Sequence, residues 1–147
     1  MQVVKAFEAP TAEVFADPQQ LKQVFINLIL NAVQARRPEA HQGRIQLTTM
    51  PEPGEAGAAP GDQADGQPHL VVTIVDDGIG IPPADVARIF DPFFTTKAEG
   101  TGLGLAICQT ILDRHHGGIE AQSQPGSWTR MRVRLPLLSA AAARGTL

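Results

Sequence analysis

The chain has 147 residues, 43% of them hydrophobic and 18% charged, with a net charge of −3. That composition fits one ordinary globular domain, able to bury roughly two-thirds of its unfolded surface without covalent staples. The acidic balance gives no electrostatic reason to expect nucleic acid, whose binders rely on a basic patch, and the single cysteine, Cys108, excludes an internal disulfide.

No apolar run approaches the roughly 18 residues of a membrane span, and Met1 opens no signal-peptide pattern. The default expectation is a cytoplasmic domain with no membrane contact of its own. The opening residues read as a cut, so a membrane-anchored parent stays open.

Residues 3–7 (VVKAF) and 13–15 (EVF) read as short edge strands joined by a turn at Pro10. Asp17-Pro18 is a strong helix start, with Asp as N-cap and Pro at the first helical position. From there Leu21, Val24, Phe25, Leu28, Ile29, Ala32 and Val33 keep helical spacing, with no breaker before Pro38. Residues 44–50 (RIQLTTM) alternate as a half-buried strand. The stretch 51–68, rich in Pro, Gly and acids, predicts a disordered surface connection.

Residues 70–75 (LVVTIV) form a continuous apolar strand that runs into Asp76-Asp77-Gly-Ile-Gly-Ile-Pro. A short helix is expected around 83–89, followed by the irregular stretch FDPFFTTKAEGTG. A second long helix covers 102–115, with Leu103, Ile107, Ile111 and Leu112 inward and Gly117-Gly118 ending it. Strands at 119–123 and 129–135 close the chain as a hairpin. The order predicts an α+β two-layer sandwich, with a mixed, mainly antiparallel sheet and helices on one face.

Three features carry chemistry. Asn27 and Asn31 are four residues apart on an apolar helix, so both amides project from one face. A sheltered amide needs a hydrogen-bonding or metal partner, because burying it unpaired costs about 1–3 kcal/mol; two satisfied amides at a packing edge would meet the same need. Next, Gly78 and Gly80 in DDGIG permit positive φ and close approach of a ligand. A carboxylate fixed at that strand end accepts hydrogen bonds only, which suits an exocyclic amine such as adenine N6. An acidic surface turn produces the same string. Finally, Gly100-Thr101-Gly102-Leu103-Gly104 runs straight into a helix, a concave set of N–H donors suited to phosphate. It is not a P-loop, since no Lys-Ser/Thr follows; a hinge that binds nothing is the alternative. Together the three supply what a Mg²⁺-nucleotide site requires: a base acceptor, oxygen ligands and phosphate-binding amides.

In this order the residues resemble the catalytic ATP-binding domain of sensor histidine kinases, within the group that includes gyrase, MutL and the heat-shock chaperone ATPase. The match covers about 12–136 of a single domain at 1–147. DPQQLKQVFINLILNAVQA resembles the N box, DDGIGIP the G1 box, FDPFFTTK the F box and GTGLGLAI the G2 box. HHGGIEAQSQPG is similar to the helix exit and strand that follow in the kinases, and the NAVQA and PFFTTK wording is nearest the nitrogen-regulation and oxygen-sensing branch.

The resemblance implies ATP and Mg²⁺ as cofactors, with Asn31 as the Mg²⁺ ligand and Asn27 supporting metal and phosphates. It implies Asp76 as the adenine N6 acceptor, with Gly78, Gly80 and Ile81 at the base pocket. Residues 90–104 correspond to a mobile ATP lid, in which Gly100, Gly102 and Gly104 are hinge and phosphate contacts. Phe90, Thr101 and Leu103 complete the implied nucleotide contacts. Lys97, with Asn27, is implied in catalysis, its ammonium reaching the γ-phosphate or else solvated in the lid.

Two positions depart from the family pattern. Gln34 stands where many members carry a lysine, and Trp128 stands where a glycine is usual. Elsewhere, His115 and His116 read as helix-end caps, His41 and His69 as loop-flanking residues, Cys108 as core, and Phe90, Phe93 and Phe94 as lid anchors.

The implied reaction moves the γ-phosphoryl of MgATP to a histidine on a separate upstream dimerisation domain, and from there to a response regulator receiver domain. The chain itself is then monomeric and the longer kinase a homodimer. A serine kinase of the same fold and a non-catalytic nucleotide module are the rivals; a gyrase-type hydrolase would need a glutamate base where Asn27 stands.

Overall fold

A computed structural model of the chain describes residues 1–8, 12–40, 42–54 and 66–138. The turn expected at Pro10, His41, and residues 55–65 of the 51–68 connection lie outside the described residues. The elements in chain order are β1 (Gln2–Phe7), α1 (Pro18–Gln34), β2 (Arg44–Glu52), β3 (His69–Asp76), α2 (Pro83–Val86), α3 (Gly104–Arg114), β4 (Gly118–Gln124) and β5 (Trp128–Pro136).

The strands form one sheet in the order β1-β2-β3-β5-β4. β1 runs parallel to β2, and every other neighbouring pair is antiparallel. The expected mixed sheet is therefore present.

The core lies between that sheet and the two long helices. Val24, Leu28 and Ala32 of α1 meet Cys108, Ile111 and Leu112 of α3 above Ile45, Ile74, Met131, Val133 and Leu135 of the sheet. β5 shows the period-two rule plainly: Thr129, Met131, Val133 and Leu135 are buried, while Arg130, Arg132 and Arg134 lie on the other face. There Arg132 bridges Glu52 of β2 and Glu120 of β4, each at 3.0 Å, tying three strands together across the solvent side.

α1 starts where the sequence places it. Asp17 caps it, its Oδ1 accepting from Gln19 N at 2.9 Å and Gln20 N at 3.3 Å, with Pro18 opening the helix. At the far end of α3, His115 acts as a two-way connector: Nδ1 donates to Ile111 O at 2.7 Å while Nε2 accepts from Asp17 N at 3.0 Å. The cap thus works through directed hydrogen bonds that tie the end of α3 to the start of α1.

Several expectations are corrected. Residues 13–15 form no strand: Phe15 is 88% exposed, and one backbone bond, Leu138 N to Glu13 O, replaces a ladder. β2 continues through Glu52, because Pro51 and Glu52 still pair with Leu70 and His69; the connection thus starts later than 51, and His69 is a strand residue. α3 is shorter than 102–115, since Gly102 takes a left-handed φ that no helix interior accepts. The helix expected at 83–89 ends at Val86. Ile107 and Val33 are exposed, their places toward the core being filled by Cys108 and Ala32.

Candidate functional site

β3 delivers its last residue, Asp76, into a cross-strand row that runs Ile45, Asp76, Thr129, Ser123. Asp76 and Thr129 are the two buried polar residues among those described. One carboxylate oxygen accepts from Gly78 N at 2.9 Å, and no other hydrogen bond reaches this group from the described residues. Burial pushes the Asp76 carboxyl up from 3.8 to about 6; the Gly78 N–H opposes the shift and the neighbouring Asp77 charge adds to it.

The turn after Asp76 is held on two sides. Ile79 N donates to Ala35 O at the end of α1 (2.8 Å), and Gly126 N of the β4–β5 turn donates to Ile79 O (2.7 Å). Gly80 has φ +72°, and a Cβ there would lie 2.3 Å from Gln124 O. Gly78 takes no left-handed φ; it is glycine because a Cβ would lie 2.3 Å from Ala35 O.

A set of hydroxyls braces the floor. Ser123 Oγ donates to Trp128 O (2.8 Å), accepts from Ile81 N (2.8 Å) and pairs with Thr129 Oγ1 (2.9 Å). With the Ser123 proton committed to Trp128, Thr129 donates to Ser123 and keeps its acceptor lone pairs beside Asp76. Arg37 clamps the same region from α1's exit, its guanidinium donating to Asp77 O (3.1 Å), Ser127 O (3.3 Å) and Gly78 O (3.4 Å). Trp128 sits at the hairpin end under the Arg130 guanidinium, 5.4 Å from the ring centre, and β4 and β5 stay in regular register up to it.

On α1, Asn27 and Asn31 are both half-buried, one turn apart. Asn27 Nδ2 donates to the Cys108 sulfur at 3.8 Å, and that thiol points its own hydrogen at Val24 O (3.7 Å). Cys108 is fully buried and its thiol is pushed up, so the sulfur is a neutral acceptor, a core group as expected and also an orienting one. Asn27 Oδ1 is thereby left for the site. Asn31 Oδ1 accepts from the Lys97 ammonium at 3.2 Å, and Gln34 Oε1 accepts from the same nitrogen. Partial desolvation there lowers the Lys97 pKa.

The lid is a loop clasped at its base. Phe93 N donates to Gly102 O at 2.8 Å; both residues have left-handed φ (69° and 72°), and a Cβ on Gly102 would lie 2.4 Å from the Phe93 carbonyl carbon. Within it, Lys97 N donates to Thr95 Oγ1 (3.1 Å) and Gly100 N to Lys97 O (3.2 Å). Phe90 and Phe94 anchor the lid against the core, as does Ile81 for the preceding turn, but Phe93 is 74% exposed and anchors nothing. Thr101 Oγ1 accepts from Leu103 N at 3.4 Å. Among the described residues no side chain caps α3, and no acidic residue stands in its first turn, so its leading N–H groups remain available to a ligand.

These pieces share one edge of the molecule, with α1 as the spine. A Cβ on Gly104 would lie 4.0 Å from Asn27 Cγ; Lys97 rests on Asn31 and Gln34; and the Asp76–Gly80 turn is hydrogen-bonded to Ala35. Thr129, Ser123 and Arg37 were not singled out from sequence. Alternation along 129–135 turns Thr129 inward, but only the strand register puts it beside Asp76. Among the described residues no group of three or more His, Cys, Asp and Glu could cage a metal. Amide oxygens beside a polyphosphate do suit Mg²⁺, and Asn31 Oδ1 already takes up a cationic group.

Residues 16–139 match the family described as histidine kinase-, DNA gyrase B-, and HSP90-like ATPase. The chain therefore belongs to that family, as a catalytic ATPase domain of the sensor histidine kinase type. Sensor histidine kinase ZraS of Salmonella typhimurium is 39% identical over 124 residues, 84% of this chain and 23% of the relative. Sensory histidine kinase/phosphatase NtrB of Rhizobium meliloti is 38% identical over 143 residues, 97% of this chain and 37% of the relative; it bears out the nitrogen-regulation wording of the motifs. The solved catalytic domain of histidine kinase ThkA is 31% identical, covers 92% of this chain and 78% of its own, and superposes with a TM-score of 0.69. The chain thus spans about a quarter to a third of the length of these curated relatives. Among the described residues no helix is long and apolar enough to cross a membrane.

Proposed function

We propose that this domain binds MgATP along α1 and donates its γ-phosphoryl to a histidine carried by a separate dimerisation domain of the longer protein. The observation that carries the reading is the convergence on α1: a buried carboxylate turn at its C-terminal end, two half-buried amides along its second half, and the uncapped N-terminus of α3 beside Asn27.

Asp76 accepts the adenine N6–H through its uncommitted oxygen, with Thr129 beside it, while Gly78 and Gly80 let the turn that carries it pack closely against Ala35 and Gln124. The leading amides of α3 and that of Gly102 bind phosphate oxygens, and Gly100 joins them once its N–H leaves Lys97 O. Asn31 Oδ1, with Asn27 Oδ1, would hold Mg²⁺, which would supply positive charge against the phosphates. Lys97 moves its ammonium to the γ-phosphate. The acceptor imidazole nitrogen attacks the γ-phosphorus while the bond to the bridging oxygen breaks, and that electron pair leaves on ADP. The domain contributes positioning and charge, the main requirements of phosphoryl transfer. Asn27 is an amide that takes no proton, so the site has no base there to activate water.

The phosphorylated histidine would then supply a receiver domain, and the site would work on the cytoplasmic side within a homodimer. The test mixes this chain, labelled ATP and a separately made histidine-bearing dimerisation domain. Acid-labile label on that histidine is expected. Acid-stable label on serine, or no transfer despite ATP binding, would contradict the reading.

A further inference from the structure

Among the described residues, Lys97 is the lid side chain hydrogen-bonded to side chains of α1, and what it reaches is specific. Its ammonium is hydrogen-bonded to Gln34 Oε1 and lies 3.2 Å from Asn31 Oδ1, two amide oxygens three residues apart on one helical face. None of the ion pairs among the described residues involves Lys97. Neutral amide oxygens orient an ammonium without cancelling its charge, so the ion stays available for a stronger anion.

We propose that Lys97 is a resident cation on the metal-binding oxygen of α1, that Gln34 is the positioning residue holding it there, and that nucleotide-bound Mg²⁺ competes with it. The inference rests on the nucleotide reading above, because the contested atom, Asn31 Oδ1, is the one assigned there to Mg²⁺. Two cations cannot share that oxygen without strong like-charge repulsion. Metal entry therefore expels the ammonium toward the arriving polyphosphate, where it is needed. The lid goes with it, because Lys97 sits inside the loop clasped by Phe93 and Gly102.

Gln34 and Lys97 form a matched pair in this scheme. A cationic side chain at position 34 would repel the lid ammonium and leave the lid unlatched; the amide gives the ammonium a second acceptor one turn from Asn31. Both residues are exposed, so variants at either position leave the core untouched.

Two measurements on the whole chain test the proposal. First, amide hydrogen exchange without nucleotide reads the lid: the Lys97 and Gly100 amides, bonded within the lid turn, should exchange about threefold to tenfold faster in Gln34→Leu and Lys97→Met. Second, ADP is titrated at stepped Mg²⁺, because ADP lacks the γ-phosphate and Lys97 variants lose no contact to it. The Mg²⁺ concentration for half-maximal ADP binding should fall by about threefold or more in both variants, and Gln34→Lys should match Gln34→Leu in lid exchange.

Unchanged lid exchange in both variants overturns the latch. An unchanged or raised Mg²⁺ midpoint, with ADP binding intact, overturns the competition alone. A wild-type chain that binds no ADP at any Mg²⁺ concentration overturns the nucleotide reading and the competition with it, while the exchange arm still reports on the latch.

Discussion

At the scale of single residues, Asp76 is kept at a cost to stability. Its pKa lies near 6 in the fold against 3.8 in the open chain, so between those values the native state holds a proton that the unfolded state has lost. Stability therefore falls as pH rises through that window, by about 2–3 kcal/mol in all. Asp76→Asn removes the burden and keeps an oxygen for Gly78 N–H. Near pH 7.5 this variant should melt at the same temperature as the wild type or higher, with a flatter stability profile between about pH 4 and pH 6. Its ATP affinity should drop about tenfold or more, the loss expected for a charge-assisted hydrogen bond. Calorimetry of melting and of ATP binding on one preparation checks both; unchanged affinity would remove Asp76 from the base site. Cys108 acts one layer further in, through the Asn27 amide. Cys108→Val should fold normally yet bind MgATP about threefold to tenfold more weakly, because the Asn27 Nδ2 loses its acceptor. Cys108→Ser, which keeps one, should recover most of that affinity.

Elements decide where those residues meet. The loop after β3 is trapped between α1's exit and the β4–β5 turn, and Gly80 is its point of closest approach to that turn. Gly80→Ala combines a strained φ with a Cβ 2.3 Å from Gln124 O, a cost of about 1–3 kcal/mol. Thermal melting should show a fall of several degrees, and a melting point equal to wild type would mean the turn relaxes freely. This contact also marks the edge of what sequence carries. α1 was legible because its cap, its Pro18 and its apolar period agree. The 13–15 strand was misread because a short apolar run says nothing about whether a sheet edge is within reach. Phe93 and Ile107 were misassigned for a related reason: both are apolar, but one sits on a left-handed turn and the other on the helix face away from the core. The hydroxyl pair Ser123–Thr129 and the Arg37 clamp depend on contacts 6 and about 40 to 90 residues apart in sequence, which no local pattern encodes.

For the molecule as a whole, four motifs spread over most of the chain are brought to one edge because β3 ends where α1 ends and α3 begins beside α1's middle. The motif order was readable before the fold, and the mixed five-stranded sheet agrees with it. What the order alone left open was the placement of the lid lysine, which rests on α1. The most direct test of the account is a backbone NMR titration of the chain with MgATP. Amide signals of Asp76–Ile81, of Asn27 and Asn31, and of Gly100–Gly104 should all shift along one saturating curve with a single Kd. Shifts confined to one of these three regions, or curves with separate midpoints, would mean that the carboxylate turn, the paired amides and the glycine loop do not serve one nucleotide.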